Sequence, residues 1–227
     1  MARSKITPAI EDYLRTIYAL EDEIQPVIAA RVAEEMGVTP STMVSTLRRL
    51  DAEGYLKVVR RKEIHLTTEG IQIAERILRR HFLIERFLTD LLDMDWVKAH
   101  QKAHRLEHAV SQDVEDRLAK LLSYPTTCPH GNPIPAKDAP QSQKNKGTPL
   151  HSVTAGKEVE LDYITEGGER DARLLGFLQD HRLVPGAKVH VLDVAPSLGM
   201  MTLRVGADEF SLGIEAAKKI RVHGQLT

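Results

Sequence analysis

Residues 28–54, IAARVAEEMGVTPSTMVSTLRRLDAEG, decide the fold. Apolar residues recur at helical spacing from Ile28 to Met36, and Gly37 suits the position just past a helix end, where left-handed backbone is required. Thr39-Pro40 then supplies a capping hydroxyl followed by a proline at the first helical position. This opens a further helix that runs to about Glu53 and stops at Gly54. Helix, tight turn and helix in this order is the helix-turn-helix arrangement.

The flanks extend that reading. Thr7-Pro8 repeats the start signal, and Ile10, Leu14, Ile17, Tyr18 and Leu20 predict an amphipathic helix over residues 7–22. After Gly54 the period changes. Leu56, Val58 and Val59, then Ile64 and Leu66, flank the charged tip Arg60-Arg61-Lys62-Glu63, which predicts a two-stranded wing. Between Arg48 and Lys62 six basic residues stand against two acidic ones, in a chain whose net charge is −1. Nucleic-acid contact is therefore expected from this local patch and not from the protein as a whole. Thr39, Pro40, Ser41, Thr42 and Ser45 place small side chains at the start of the second helix, where they can meet phosphates or base edges. Arg48, Arg49, Arg60, Arg61 and Lys62 suit phosphate contact. Val38, Met43, Val44 and Leu47 are read as core or core-edge residues.

Farther along, Thr67 or Thr68 caps a predicted helix from about Glu69 to Leu92, and another is expected from Trp96 to Leu122. His81, His100, His104 and His108 fall on these helices, within 28 residues. On one helix, His104, Glu107 and His108 at i, i+3 and i+4 share an arc of surface with His100 one turn earlier; His81 and Glu85 form an i, i+4 pair. Imidazole and carboxylate at this spacing are the donors a divalent transition metal takes from a helix face. A single such histidine is usually a solvated or core residue; six donors on adjacent helices argue for metal. Cys128-Pro129-His130 is a weaker third candidate, since a lone cysteine is commonly just buried.

From Pro125 to Pro149 proline is dense and residues 141–147 are polar, which reads as a linker. Beyond it, residues 157–163, 188–194, 201–205 and 209–212 predict short strands of a small β-barrel-like module. The expected class is mostly α with a small β domain. With 227 residues and 42% hydrophobic content the chain has room for two or three small domains. No apolar run approaches bilayer length, the first residues lack the apolar core of a signal peptide, and one cysteine excludes an internal disulfide. A cytoplasmic protein is expected.

Several segments together resemble the diphtheria toxin repressor family of iron- and manganese-dependent regulators. They are Glu11-Asp12-Tyr13-Leu14-Arg15-Thr16-Ile17-Tyr18, the helix-turn-helix through Gly54-Tyr55-Leu56, His81-Phe82-Leu83-Ile84-Glu85-Arg86, His104-Arg105-Leu106-Glu107-His108 and Cys128-Pro129-His130-Gly131-Asn132-Pro133. The resemblance implies a winged helix-turn-helix over residues 1–72, a helical dimerisation and metal-binding domain over 73–140, a linker over 141–150, and an SH3-like (FeoA-like) domain over 151–227. It also implies a metal-loaded homodimer that binds a palindromic double-stranded DNA operator and represses genes of metal uptake.

By position, the resemblance gives a primary metal set of Asp12, His104, Glu107 and His108, and an ancillary set of His81, Glu85 and His100. In some manganese-responsive members the equivalents of Glu85, Cys128 and His130 join a carboxylate of the SH3-like domain, for which Asp171 is the expectation here. Iron-type members carry methionine and cysteine where this chain has Asp12 and His104, and oxygen and imidazole favour the harder Mn²⁺, with Fe²⁺ the alternative. The short manganese regulators carry glutamate where Arg15 and His104 stand, so a paired-metal centre like theirs is not expected. A metalloenzyme would need an open coordination position and a nearby base, and no H-E-x-x-H run is present. A sensor of a small organic ligand would stay active after complete metal removal.

Overall fold

The computed structural model describes residues 6–23, 25–59, 62–137 and 147–224. The chain divides into two compact units. Unit 1 comprises residues 1–81, 107–110 and 135–143, and unit 2 comprises residues 82–106, 111–134 and 144–227.

Unit 1 begins with α1 (Pro8–Glu23), α2 (Ala29–Met36) and α3 (Pro40–Ala52). Thr7 starts α1 through its side-chain oxygen, which accepts from the Ile10 amide. Gly37 ends α2 in left-handed backbone, and its amide and that of Val38 return to carbonyls of the last turn of α2. Thr39 caps α3 by accepting from the Thr42 amide. The wing strands β1 (Leu56–Val58) and β2 (Ile64–Leu66) pair antiparallel, Leu56 opposite Leu66 and Val58 opposite Ile64. Leu56 and Ile64 turn inward and join Leu14, Ile17, Met43, Leu50 and Ile77 in the core. α4 (Thr68–Arg86) follows, with the Thr67 hydroxyl accepting from the Gly70 amide. Gly70 is required there, because a Cβ would sit 2.0 Å from the Tyr55 carbonyl oxygen. The first four elements match the sequence expectation within a residue or two at their ends.

Two expectations are corrected. The predicted helix from Trp96 to Leu122 is two helices, α5 (Trp96–Leu106) and α6 (Gln112–Leu121). Ser111 takes extended backbone (φ −77, ψ 164) before α6, whose first turn carries Asp113 and Glu115 where carboxylates favour a new helix start. Glu107 and His108 therefore lie in the turn that follows α5. The helix expected to reach Leu92 keeps α geometry to Arg86 and widens to a π turn over Phe87–Leu91.

In unit 2, the proline-dense stretch read as linker is ordered through its first part. The Cys128 amide donates to the Asn132 carbonyl, the Ile134 amide to the Thr126 carbonyl, and the Ile164 amide to the His130 carbonyl. Residues 138–146, most of the expected 141–150 linker, lie outside the described residues.

The C-terminal part is an antiparallel sheet in the order β3-β8-β4-β5-β6-β7, formed by β3 (Thr148–Pro149), β4 (Glu158–Ile164), β5 (Lys188–Ala195), β6 (Met200–Val205), β7 (Asp208–Gly213) and β8 (Ile220–His223). No pairing between the outer strands β3 and β7 closes it into a barrel among the described residues. The helices α7 (Glu166–Glu169), α8 (Ala172–Asp180) and α9 (Ile214–Ala217) complete it. The inward face of β4 (Val159, Leu161, Ile164) packs with Val189, Val191, Leu203, Leu174 and Leu178 and with the single tryptophan, Trp96. No described helix is long and apolar enough to cross a membrane.

The Thr126–Ile134 segment depends on one glycine. At Gly131 (φ +91) a Cβ would lie 2.2 Å from the Asp162 carbonyl oxygen and 2.9 Å from the Tyr163 Cα. Gly156 (φ +84) has nothing within 4 Å of an added Cβ. Gly156→Ala should therefore cost only left-handed strain, about 1–2 kcal/mol. Gly131→Ala should cost that plus about 1–3 kcal/mol of overpacking. Urea unfolding followed by Trp96 fluorescence separates the two; equal losses would show that the loop yields freely.

Candidate metal centres and nucleic-acid interface

Unit 2 gathers donors from four places in the chain. Glu85 comes from the last turn of α4, His100 from α5, Cys128 and His130 from the loop, and Glu169 from α7. His100 Nδ1 is 2.8 Å from Glu85 Oε1, and His130 Nδ1 is 3.4 Å from Glu85 Oε2 and 3.2 Å from Glu169 Oε1. Cys128 Sγ lies 3.9 Å from His130 Nδ1 and 3.8 Å from Glu169 Oε1. Glu85, Cys128, His130 and Glu169 each offer a donor atom within 4.8 Å of the others, and all four are buried.

Two buried carboxylates converging on one imidazole are costly unless a cation joins them. Burial alone favours neutral imidazole, but Glu85 and Glu169 outweigh it and hold the His130 pKa well above the ordinary value. Burial, and behind it Glu169, pushes the Cys128 thiol up to about 12, so sulfur becomes an anionic donor only when a metal displaces its proton. Glu169 Oε2 and His130 Nε2 are buried with no hydrogen-bond partner among the described residues. Buried oxygen, nitrogen and sulfur donors around two carboxylates fit a divalent transition metal.

The carboxylate here is Glu169, not Asp171. Asp171 caps α8, accepting from the Leu174 amide, and its other oxygen is 3.9 Å from Lys219 Nζ. Only Arg170 stands between Glu169, the last residue of α7, and Asp171, the cap of α8. Asn132, quoted in the sequence for its motif alone, also proves part of the site: its side-chain amide donates to Glu169 Oε1 and to the Ile164 carbonyl, both at 2.6 Å.

Unit 1 holds a second group. On α1, Glu11 and Asp12 face His108, with Glu11 Oε2 2.7 Å from Nδ1 and Asp12 Oδ1 3.1 Å from Nε2. His108 Nε2 is also 3.5 Å from Glu107 Oε1. Glu107 is fully buried, and His81 Nδ1 lies 2.5 Å from its Oε2. Arg15 donates to both Glu107 oxygens, at 2.9 and 3.0 Å. Glu11 was not among the sequence candidates, although it directly precedes Asp12. His104 lies in the last turn of α5 in unit 2 and is exposed.

The DNA-reading candidates occupy one face of α3. Thr39, Pro40, Ser41, Thr42, Ser45, Arg48 and Arg49 are exposed, while Met43, Leu47 and Leu50 are buried. Val44, expected in the core or at its edge, is 44% exposed and stands among the polar residues of that face. Lys62 is exposed at the wing, in left-handed backbone; Arg60 and Arg61 lie outside the described residues.

The chain is similar to known proteins over nearly its whole length. Residues 5–64 match the iron dependent repressor N-terminal DNA binding domain, 67–136 the iron dependent repressor metal binding and dimerisation domain, and 148–223 the FeoA domain. A protein of Mycobacterium leprae named iron-dependent repressor IdeR is 35% identical over 220 residues, spanning 93% of this chain and 95% of that protein. The chain belongs to the iron-dependent repressor family. A diphtheria toxin repressor of Corynebacterium jeikeium is 41% identical over 196 residues, 82% of this chain and 81% of that protein. Among solved structures, a manganese-dependent transcriptional repressor in complex with manganese superposes with a TM-score of 0.84 at 28% identity, covering 94% of this chain and 98% of the other. The family consists of metal-dependent DNA-binding transcriptional repressors and not of enzymes.

Glu169→Gln should weaken Mn²⁺ binding in a calorimetric titration at least tenfold, since a ligand or its close support is worth about that much or more. Asp171→Asn should leave it unchanged; the reverse pattern would return the carboxylate role to Asp171.

Proposed function

We propose that the protein is a Mn²⁺-responsive repressor of metal-homeostasis genes that binds a palindromic operator as a homodimer. The observation that carries the reading is the hydrogen-bonded contact between Asp12 and His108. Asp12 belongs to the helix that packs directly on α2 and on the wing strand β2, so a donor of the cation site is built into the DNA-reading unit. The division of labour follows the expected domains: a reader in residues 1–72, metal and dimer contacts in 73–140, and an SH3-like domain in 151–227 that contributes Glu169.

A bound divalent ion supplies positive charge and a fixed ligand geometry. Asp12 and Glu11 then hold α1 against the turn carrying Glu107 and His108, which fixes where α3 is presented. On α3, the hydroxyls at the helix N-terminus and the flanking arginines contact phosphates, and the exposed Val44 offers an apolar surface to a thymine methyl. Mn²⁺ is favoured because the donors of this unit 1 group are carboxylate and imidazole with no sulfur. Fe²⁺ is the second reading, favoured by the Cys128 thiol of the other cluster and by the iron-dependent names of the relatives.

The test is an anaerobic binding titration against a duplex selected from a random-sequence pool by the Mn²⁺-loaded protein. Mn²⁺ should tighten binding by well over tenfold relative to chelated protein, and Asp12→Ala should abolish that gain. Equal DNA affinity with and without metal would refute the reading, and a larger response to Fe²⁺ than to Mn²⁺ would select the alternative. In the same assay Arg48→Ala should lower affinity and reduce the salt slope by about one. An unchanged slope would place Arg48 away from phosphate.

A further inference from the structure

The basic stretch from Arg48 to Lys62 contains two carboxylates, Asp51 and Glu53. Glu53 stands just past α3 as its C-terminal cap. Asp51 has a different place, because from the last turn of α3 it reaches the wing. Its Oδ1 lies 2.8 Å from Lys57 Nζ on β1, and its Oδ2 accepts from the Val58 amide at 3.5 Å. That amide is turned to the outer edge of the wing, since the Val59 amide, one residue on, donates to the Glu63 carbonyl at the start of β2. The other edge is held as well: the Ile64 amide of β2 donates to the Val27 carbonyl ahead of α2. The wing is thus fastened along one edge to the chain before α2 and along the other to α3 itself. The Lys57 hydrogen bond outweighs burial and, aided by the Val58 amide, holds the Asp51 carboxyl below its ordinary value, so it is ionised near neutral pH.

We propose that Asp51 is a positioning residue for DNA recognition, which sets the wing against α3 and ties up Lys57, so that the operator is favoured over other duplexes. An operator is read only when a recognition helix in the major groove and the phosphate contacts beside it fit at the same time. Non-specific binding asks only for positive charge near phosphates. Asp51 stands at i+3 from Arg48 and so shares its face of α3. A carboxylate there repels phosphate on every sequence alike, which lowers non-specific affinity. Lys57 is 61% exposed yet paired with Asp51, and is thereby withheld from loose phosphate contact. Asp51 therefore acts on both sides of the specificity ratio: it aligns two reading elements for the right sequence and removes charge from the wrong one. Stability does not account for it, because an ion pair this exposed adds little to folding.

The inference rests on α3 as the DNA-reading helix, and the test separates the two. The full chain, Asp51→Asn, Asp51→Ala and Arg48→Ala are titrated in Mn²⁺ over a range of salt. Two duplexes of equal length are used, one selected from a random-sequence pool by the unsubstituted protein and one scrambled. Asp51→Asn keeps the size of the side chain and should keep the unfolding midpoint, so it carries the test should Asp51→Ala not fold. Both Asp51 variants should bind the selected duplex more weakly and the scrambled one more tightly, the ratio of the two affinities falling about tenfold. The salt slope on the scrambled duplex should steepen by about one as Lys57 becomes free for phosphate. Adding Lys57→Met to Asp51→Asn should remove that steepening without restoring affinity for the selected duplex. A shift by the same factor on both duplexes, in either direction, would overturn the proposal and leave Asp51 a solvated surface charge. Unchanged binding of both duplexes by Arg48→Ala would overturn α3 as the reading helix, and the inference with it.

Discussion

Carboxylates taken out of water in close company set the terms for this molecule. In unit 2, Glu85 and Glu169 meet at His130 with no exposed surface to speak of, and the surrounding parts serve to keep them there. Asn132 ties Glu169 to the end of β4, and Gly131 lets the loop backbone lie on that strand closely enough for Cys128 and His130 to reach the same point. Such a cluster is poor material for stability on its own, because burying carboxylates and imidazoles together costs hydration that their mutual attraction only partly offsets. Its oxygen, nitrogen and sulfur donors are of the kind a divalent transition metal takes.

Unit 1 meets the same constraint around Glu107 with a different answer. There the guanidinium of Arg15 supplies a permanent charge, and half-buried Asp12 and His108 bring an oxygen and a nitrogen together beside it. Asp12 belongs to α1, which packs on α2 and β2 of the DNA-binding domain. The helix-turn-helix is built on local features, the left-handed Gly37 and the Thr39 cap. A family of repressors that must read metal supply through DNA geometry needs such a junction between ligand and reader.

Much of this was legible in the sequence because the relevant signals are local. Caps, breakers and period changes mark the three helices and the wing, and alternation marks β4 to β7. What stayed hidden depends on tertiary context. The apolar period runs straight through residues 107–111, so nothing local announces that Glu107 leaves the helix to be buried against Arg15. Proline density reads as a linker from Pro125 onward, while the loop from Thr126 to Ile134 is held by hydrogen bonds to a strand more than thirty residues away. β3, β8 and the short helices α7 and α9 are too brief for periodicity to register. For the same reason Glu169 and Asp171 could not be told apart: both are acidic residues near a short helix, and only the fold shows that one faces the loop and the other caps α8. Val44 was misplaced because an apolar residue on a recognition helix carries the same one-dimensional signal as a core residue.

The most direct measurement is the unfolding midpoint of the full chain in strong chelator and in saturating Mn²⁺. If the buried carboxylate groups are cation sites, Mn²⁺ at one hundred times its dissociation constant stabilises the fold by about 2.7 kcal/mol per site. For a chain of this size that is a rise on the order of 5–10 °C. An unchanged midpoint would mean that these clusters are balanced within the protein, and would contradict the account at its base.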